Sequence, residues 1–262
     1  MRVTDTLKVN YDLIEGIAVI TLNSVETLNA LDSELIYELN QVLDKIENDS
    51  KVKIVLVTGK GKAFSAGGNV KRMGDRTTLE TIEIMSHATR VITRITEMKK
   101  VFISAVNGYA MGAGFSLALA CDIIVAQKNA KFGLSFINVG LVPDCGLLHF
   151  LPKIVGPWKA KELIFSGAVI TAEEAFQYRI VNRLVEENEA LSEGLEFAKK
   201  LAVEPLQAMT LVKTIIESSK NLDIKGTMQY ETLAQSVLQQ TTDHKEGLQA
   251  FKEKRSPIFT GR

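Results

Sequence analysis

The sequence is poor in the residue types that mark metal sites and disulfide frameworks. Its 262 residues include two cysteines, three histidines and one tryptophan. Cys121 and Cys145 form neither a CxxC pair nor a Cys/His spacing, so neither a zinc site nor a disulfide scaffold is indicated. We expect both cysteines to be buried free thiols, and we predict no bound metal.

The sequence also lacks an excess of charge and a long apolar run. Its 31 basic and 31 acidic residues cancel, so nothing in the bulk charge predicts binding to nucleic acid or to an anionic membrane. No window has the roughly 18 uncharged apolar residues of a membrane helix, and the first residues lack the apolar segment of a signal peptide. We therefore expect a cytoplasmic protein with no nucleic-acid or membrane partner.

The first half of the chain contains alternating strand-like and helix-like segments. Residues 11–15 and 17–22 predict a hairpin around Gly16, and apolar residues at helical spacing predict a helix capped by Asp32. The runs KIVLVTG, VFISAV and CDIIVA are typical of buried parallel strands, and helices at about 78–98 and 113–120 precede the last two. This order predicts an α/β fold built of crossover units.

After about Pro157 the pattern changes to successive helices. Pro157 suits the first position of a helix, and Thr171 with Glu174 forms a capping box. Helical spacing recurs at 191–201, 205–218 and 224–251, with a break near His244. Because no Pro/Ser linker separates the halves, we predict an α/β core over residues 1–200 and a C-terminal helical oligomerisation region over residues 201–262.

Two glycine-rich turns each follow a predicted strand, GKGKAFSAGGNV after KIVLVTG and NGYAMGAGFSLALA after VFISAV. A glycine turn that opens a helix exposes unpaired N–H groups at the positive end of the helix dipole, where anions or developing oxyanions bind. Tight turns or close packing explain either segment alone equally well, since neither is a P-loop or a full GxGxxG. Two such turns after successive strands favour a binding role.

These two turns closely resemble the crotonase (enoyl-CoA hydratase/isomerase) superfamily. The likeness extends over nearly the whole chain, through LNALDSEL, FINVGLVPDCG, LIFSGAVITAEEAFQYRIVNRLV and EGLQAFKEKRSPIF. The resemblance implies a crotonase-like spiral of ββα units with a helical C-terminal extension that packs subunits into a homotrimer or a dimer of trimers. It implies an acyl-CoA substrate and no separate cofactor, because CoA is part of the substrate.

The resemblance also implies roles for individual residues. The oxyanion-hole N–H donors fall on Ala66 and Ala113, which would bind the thioester oxygen as it becomes an enolate. The positions that correspond to CoA or acyl contacts are Leu28, Asn29, Ala30, Gly67, Gly68, Asn69, Gly112, Ser116, Phe136, Phe251 and Lys254. Asn69 stands where an Asp is common, and Ser24 and Val25 replace the usual Arg-Pro; these departures concern how the CoA phosphates are held. For Phe251, simple helix packing is an equally good explanation.

The largest departure is at the two glutamates that hydratases use. Hydration of a conjugated double bond needs one group to activate water and another to protonate the α-carbon. Ser116 and Phe136 occupy those positions here, and neither can do this work. Asp144, in GLVPDCG, lies just beyond the second position, and no other Asp or Glu lies between Asp122 and Glu162. An ordinary turn residue is the simpler interpretation of Asp144, but a single carboxylate meets the needs of an isomerase.

We therefore predict an acyl-CoA isomerase in which Asp144 is the proton shuttle. The GLVPDCG block, the missing glutamates and the KRSPIFTGR ending most resemble the phenylacetate-degradation branch. Members of that branch convert 2-(1,2-epoxy-1,2-dihydrophenyl)acetyl-CoA to its oxepin isomer and shift 3-enoyl-CoA to 2-enoyl-CoA. The alternatives are an enoyl-CoA hydratase, a relative with Asp144 as nucleophile, and a non-catalytic acyl-CoA-binding homologue. We interpret His149 as a core or surface residue and Asp122 as structural.

Overall fold

The strands form two sheets. The computed structural model describes residues 7–70, 74 and 76–261. Its strands are β1 (Val9–Ile14), β2 (Ile17–Leu22), β3 (Ile54–Gly59), β4 (Ala63–Ser65), β5 (Val101–Val106), β6 (Tyr109–Met111), β7 (Ile123–Gln127), β8 (Lys131–Gly133), β9 (Val169–Thr171) and β10 (Arg183–Val185). The larger sheet has the order β1-β2-β3-β5-β7-β10 and the smaller has β4-β6-β8-β9. Both are parallel except for the β1–β2 and β8–β9 pairs.

The helices connect the two sheets in a repeating order. They are α1 (Ser33–Asn48), α2 (Thr78–Glu97), α3 (Ala113–Ala120), α4 (Leu147–Val155), α5 (Pro157–Phe165), α6 (Ala172–Gln177), α7 (Ala190–Ala202), α8 (Leu206–Ser219), α9 (Ile224–Leu238) and α10 (Thr242–Glu253). The successive units β3-β4-α2, β5-β6-α3 and β7-β8-α4 each place their first strand in the larger sheet and their second in the smaller. This arrangement confirms the α/β fold and the spiral of ββα units.

Local sequence signals fix several element boundaries. The Asp32 carboxylate accepts the N–H of Leu35 at 3.0 Å and caps α1, and the predicted capping box opens α6. The C-terminal helical run breaks earlier than predicted, because α9 ends at Leu238. The Thr241 hydroxyl accepts the N–H of His244 at 3.1 Å, which places His244 in the first turn of α10.

The core lies on both faces of the larger sheet. Every residue of β3 and β5 is buried, as expected for central parallel strands. Helix α7 packs on one face, where a Cβ on Gly194 would lie 3.0 Å from a methyl carbon of Leu56. On the other side, all eight residues of α3 are buried. Helix α3 is therefore buried along its whole length, and polar groups lie near both of its ends.

The C-terminal helices leave a large apolar surface uncovered. No residue of α9 is buried, and the exposed apolar side chains include Ile224, Met228, Leu233 and Val237. The predicted boundary at residue 200 falls within the last turn of α7; the division into core and extension stays a prediction. Residues 1–6, 71–73, 75 and 262 of the predicted ranges lie outside the described residues. No helix in the described part of the chain is long and apolar enough to cross a membrane.

Candidate active site

The first glycine turn is tied to the segment that follows β2. Strand β4 ends at Ser65, whose hydroxyl donates to the carbonyl oxygen of Asn29 at 2.8 Å. The N–H of Ala66 donates to the carbonyl oxygen of Leu28, also at 2.8 Å. That N–H is therefore already engaged within the chain. This geometry does not support Ala66 as an oxyanion donor.

The free N–H of this turn lies two residues later. Gly67 turns the chain with φ of +80°, and within the described residues the N–H of Gly68 donates to no other group. A Cβ on Gly67 would lie 2.4 Å from the carbonyl oxygen of Met111 and 3.1 Å from the nitrogen of Ala113. The two glycine turns are thus in direct contact.

The second turn presents the N-terminus of α3. Gly112 has φ of +51° and ψ of −124°, a conformation that favours glycine. Ala113 is the first helical residue, and its N–H has no partner within the residues described. The first N–H groups of a helix are unsatisfied by geometry and lie at the positive end of the helix dipole. Gly68 and Ala113 therefore offer two free N–H donors in adjoining turns.

Asp144 lies in an irregular turn against the first part of α3. Cys145 and Gly146 follow it with φ of +50° and +82°. The Ser116 hydroxyl donates to the main-chain carbonyl oxygen of Asp144 at 2.9 Å. Ser116 is three residues from Ala113, about 4.5 Å along the helix. The Asp144 turn is thus held about one helical turn from the second N–H donor.

The Asp144 carboxyl group is partly buried and incompletely satisfied. Its Oδ1 atom is inaccessible and has no hydrogen-bond partner. Burial raises the pKa of this carboxyl, although a hydrogen bond with the Cys145 thiol acts in the opposite direction. Burial also raises the pKa of Cys145 to about 12, so its thiol stays protonated. An unsatisfied carboxylate with a raised pKa is suited to taking up and releasing a proton.

Phe136 forms an apolar wall beside the second turn. Its side chain is 8% exposed, and a Cβ on Gly112 would lie 3.5 Å from its ring. Ser116 is fully buried, and its one hydroxyl proton is directed to the Asp144 turn. Neither position supplies a carboxylate, and Ser116 contacts the chain rather than presenting a free polar group.

Some of the residues expected to contact CoA lie in the segment after β2, and others lie on the surface. Asn29 is fully buried, and its side-chain amide donates to the carbonyl oxygens of Lys60 and Ala63 at 3.0 and 2.8 Å. Its side chain therefore supports the loop. Ala30 is 4% exposed, whereas Leu28 is 40% exposed and available for contact.

The remaining predicted contacts lie on the surface. Asn69 is half-buried. Phe251 is 84% exposed, so helix packing within this chain does not explain it. Lys254 ends α10 in a left-handed conformation and is also exposed.

Other titratable groups near the site have structural partners. His149 is exposed, and its ring lies 2.7 Å from the Lys153 ammonium. The Asp122 carboxylate accepts the N–H of Phe102 at 2.7 Å and the Lys213 ammonium at 3.0 Å, which confirms its structural role. Cys121 and Cys145 are buried free thiols, as predicted.

Comparison with known proteins agrees with this geometry. A family model described as enoyl-CoA hydratase/isomerase matches residues 12–262. A short-chain-enoyl-CoA hydratase from Clostridium acetobutylicum is 36% identical over 91% of this chain and 92% of its own. A 1,2-epoxyphenylacetyl-CoA isomerase from Escherichia coli (strain K12) is 32% identical over 95% of this chain and 96% of its own. The crystal structure of an enoyl-CoA hydratase from Bacillus anthracis superposes with a TM-score of 0.94 and 32% identity, covering 97% of this chain and 100% of that one. The chain therefore belongs to the enoyl-CoA hydratase/isomerase family of enzymes that act on acyl-CoA thioesters.

Proposed function

We propose that this protein is an acyl-CoA isomerase that moves a proton with Asp144 on a thioester enolate. The observation that carries the proposal is the Asp144 carboxyl itself, with Oδ1 buried and unpartnered and its turn bonded to α3 through Ser116. The Ala113 N–H lies about one helical turn from Ser116, and the Gly68 N–H belongs to the adjoining turn. The site thus combines a single proton carrier with a place for a negatively charged oxygen.

The N–H groups of Gly68 and Ala113 would bind the thioester oxygen. Gly68 takes the place first expected for Ala66, because the Ala66 N–H donates to Leu28. As a proton leaves the α-carbon, charge develops on that oxygen and both hydrogen bonds strengthen. Removing one such donor typically costs about 3–4 kcal/mol in the transition state.

Asp144 would carry the proton in two steps. With a 3-enoyl-CoA, the carboxylate takes a proton from C2 and leaves a dienolate on the N–H donors. The carboxylic acid returns the same proton to C4, and the double bond then lies between C2 and C3. The carboxyl group is ionised again at the end, so one residue is sufficient. The 1,2-epoxyphenylacetyl-CoA isomerase name of the Escherichia coli relative supports testing the epoxyphenylacetyl thioester as well.

The hydratase alternative is supported by the name of the Clostridium acetobutylicum relative. It is opposed by the site, because the Ser116 hydroxyl is engaged with Asp144 and Phe136 is apolar. Neither can activate water or protonate carbon in the manner of a paired carboxylate. We therefore place isomerisation ahead of hydration.

A pair of substrates separates the reactions. We expect 3-hexenoyl-CoA to gain the ultraviolet absorbance of a conjugated thioester and crotonyl-CoA to keep its absorbance. Loss of absorbance from crotonyl-CoA would instead indicate a hydratase. Silence with both, together with acyl-CoA binding in calorimetry, would indicate a non-catalytic binding protein.

We further propose that the protein functions as a homotrimer or a dimer of trimers. The uncovered apolar side chains of α9 support an additional protein surface against this helix. Phe251 and Lys254 are both exposed at the end of α10, and we propose that they contact CoA or a neighbouring subunit. Sedimentation equilibrium would give the number of subunits.

A further inference from the structure

Ser116 makes a contact that the family resemblance does not explain. We propose that Ser116 is a positioning residue, which fixes the Asp144 turn against α3 and thereby keeps the carboxyl group in place relative to the Ala113 N–H. This inference rests on the proposed function, because Asp144 is the group that is positioned.

The hydroxyl hydrogen bond of Ser116 is directed away from its own helix. A serine within a helix commonly donates to the carbonyl oxygen four residues earlier. That oxygen belongs to Gly112 and lies 3.4 Å from the Ser116 Oγ, whereas the Asp144 carbonyl oxygen lies at 2.9 Å. A hydroxyl has one proton to donate. The shorter contact identifies Asp144 as the acceptor.

The Asp144 turn depends on this bond because its own conformation is unfavourable. Cys145 has φ of +50°, which is uncommon for a residue with a side chain. The Asp144 carbonyl oxygen also accepts the N–H of Leu147 at 3.1 Å, but that bond lies within the turn. The Ser116 bond is the one that joins the carbonyl to α3. Its donor is sheltered from water, because Ser116 has no exposed surface.

Loss of the bond would displace the carboxyl group without removing it. A shift of about 1 Å in a reacting group can cost about 100-fold in rate. We expect Ser116→Ala to lower kcat for 3-hexenoyl-CoA isomerisation by about 10-fold or more, with KM within about twofold. Water would also reach the Oδ1 atom in this variant, so the pKa of Asp144 would move down towards that of an exposed aspartate.

The matched control is Ser104→Ala. Ser104 is also fully buried, and its hydroxyl lies 3.4 Å from the carbonyl oxygen of Ala118, on the same helix. This variant makes the same chemical change next to α3 without touching the Asp144 turn. We expect it to keep the kcat of the wild type. Ser116→Cys, which retains the size of the side chain and a weak donor, should fall between wild type and Ser116→Ala.

The experiment has two readouts, turnover and the Asp144 titration followed by NMR of carboxyl-labelled aspartate. Asp144→Asn assigns the resonance. Equal losses of kcat in the two serine-to-alanine variants, or an unchanged Asp144 titration in Ser116→Ala, would overturn the inference. If Ser116→Ala does not fold, Ser116→Cys provides the same two readouts, and wild-type values for both would overturn it. Retained turnover in Asp144→Asn would overturn the proposed function instead, while the titration would still test the contact.

Discussion

The two ends of α3 hold aspartates in contrasting environments. Beyond its C-terminal end, Asp122 accepts the N–H of Phe102 at 2.7 Å and the Lys213 ammonium at 3.0 Å. Beside its N-terminal end, Asp144 has a buried Oδ1 atom with no hydrogen-bond partner. Burial raises the pKa of both carboxyl groups, and only Asp122 has a lysine that offsets this effect.

This difference separates a group that holds the fold together from one that we propose is kept available for a ligand. Lys213, on α8, also donates to the carbonyl oxygens of Ile95 and Lys100 at 2.7 and 3.2 Å. The Asp122 end therefore anchors α8 to the core. At the Asp144 end, the N–H groups of Gly68 and Ala113 are two further hydrogen-bonding groups without a partner in the described residues. An inaccessible side-chain oxygen without a partner is rare in folded proteins, and the Oδ1 atom of Asp144 is the one on which the proposed function rests.

The largest expected effect is on turnover when Asp144 is replaced. Asp144→Asn removes the proton carrier with little change in shape, so we expect the rate of 3-hexenoyl-CoA isomerisation to fall by about 100-fold or more. Binding of acyl-CoA, measured by calorimetry, should persist because the N–H donors remain. Asp122→Asn is the matched control and should stay within about threefold of wild type in turnover. Comparable rates for the two variants would remove the distinction between the two ends of α3.

A second prediction concerns the contact between the glycine turns. Gly67→Ala would place a Cβ 2.4 Å from the carbonyl oxygen of Met111, in a residue whose φ is +80°. The turns must then separate, so we expect kcat/KM to fall by about 10- to 100-fold, which is less than the roughly 100- to 1,000-fold cost of losing an oxyanion donor completely. Gly140→Ala provides the control, because Gly140 has φ of +71° and nothing within 4 Å of the added carbon. If both variants lose activity equally, backbone strain and not the contact is responsible.

Local signals in the sequence predicted most of the regular elements. The cap at Asp32, the capping box at Thr171 and Glu174, and the buried β-branched runs all act over a few residues, so they can be recognised without the fold. The smaller sheet was missed because β4, β6, β8 and β9 have three residues each. Segments this short carry no measurable alternation. Helix α4 was missed as well, since Pro152 within it is a signal against a helix.

The candidate site was only partly predictable for a related reason. Asp144 could be found by elimination, since it lies eight residues beyond Phe136 and is the one Asp or Glu between Asp122 and Glu162. The Ser116 bond to its carbonyl joins residues 28 apart in sequence, and no local pattern indicates such a contact. The choice between the Ala66 and Gly68 N–H groups likewise depends on the carbonyl oxygen of Leu28, which belongs to a separate segment.

A third prediction concerns stability at the Asp122 end. Asp122→Asn leaves the Lys213 ammonium without its carboxylate partner while 9% of the lysine side chain is exposed. Breaking a buried ion pair by removing one partner commonly costs about 3–5 kcal/mol. The partial exposure of Asp122 makes the expected cost smaller. We expect a loss of about 2 kcal/mol in the free energy of unfolding, measured by urea denaturation. An unchanged midpoint would show that the ion pair does not anchor α8.

The smallest expected effect is a gain in stability when Asp144 is replaced. The raised pKa of this carboxyl means that the folded state holds its proton more tightly than the unfolded chain does. Ionisation therefore costs folding free energy once the pH exceeds about 3.9, the ordinary aspartate value, and the cost is complete above the raised pKa. Asp144→Asn avoids this cost, so we expect its Tm to exceed that of wild type by about 2 °C at pH 7.

The coupling between proton binding and folding also determines how the gain in Tm changes with pH. The difference in Tm between Asp144→Asn and wild type should shrink as the pH falls towards the ordinary aspartate value, because both side chains are then neutral in both states. Scanning calorimetry at several pH values measures it. A difference of the opposite sign at pH 7 would mean that the folded protein stabilises the Asp144 carboxylate. The case for a carboxyl group held ready to exchange a proton would then fail.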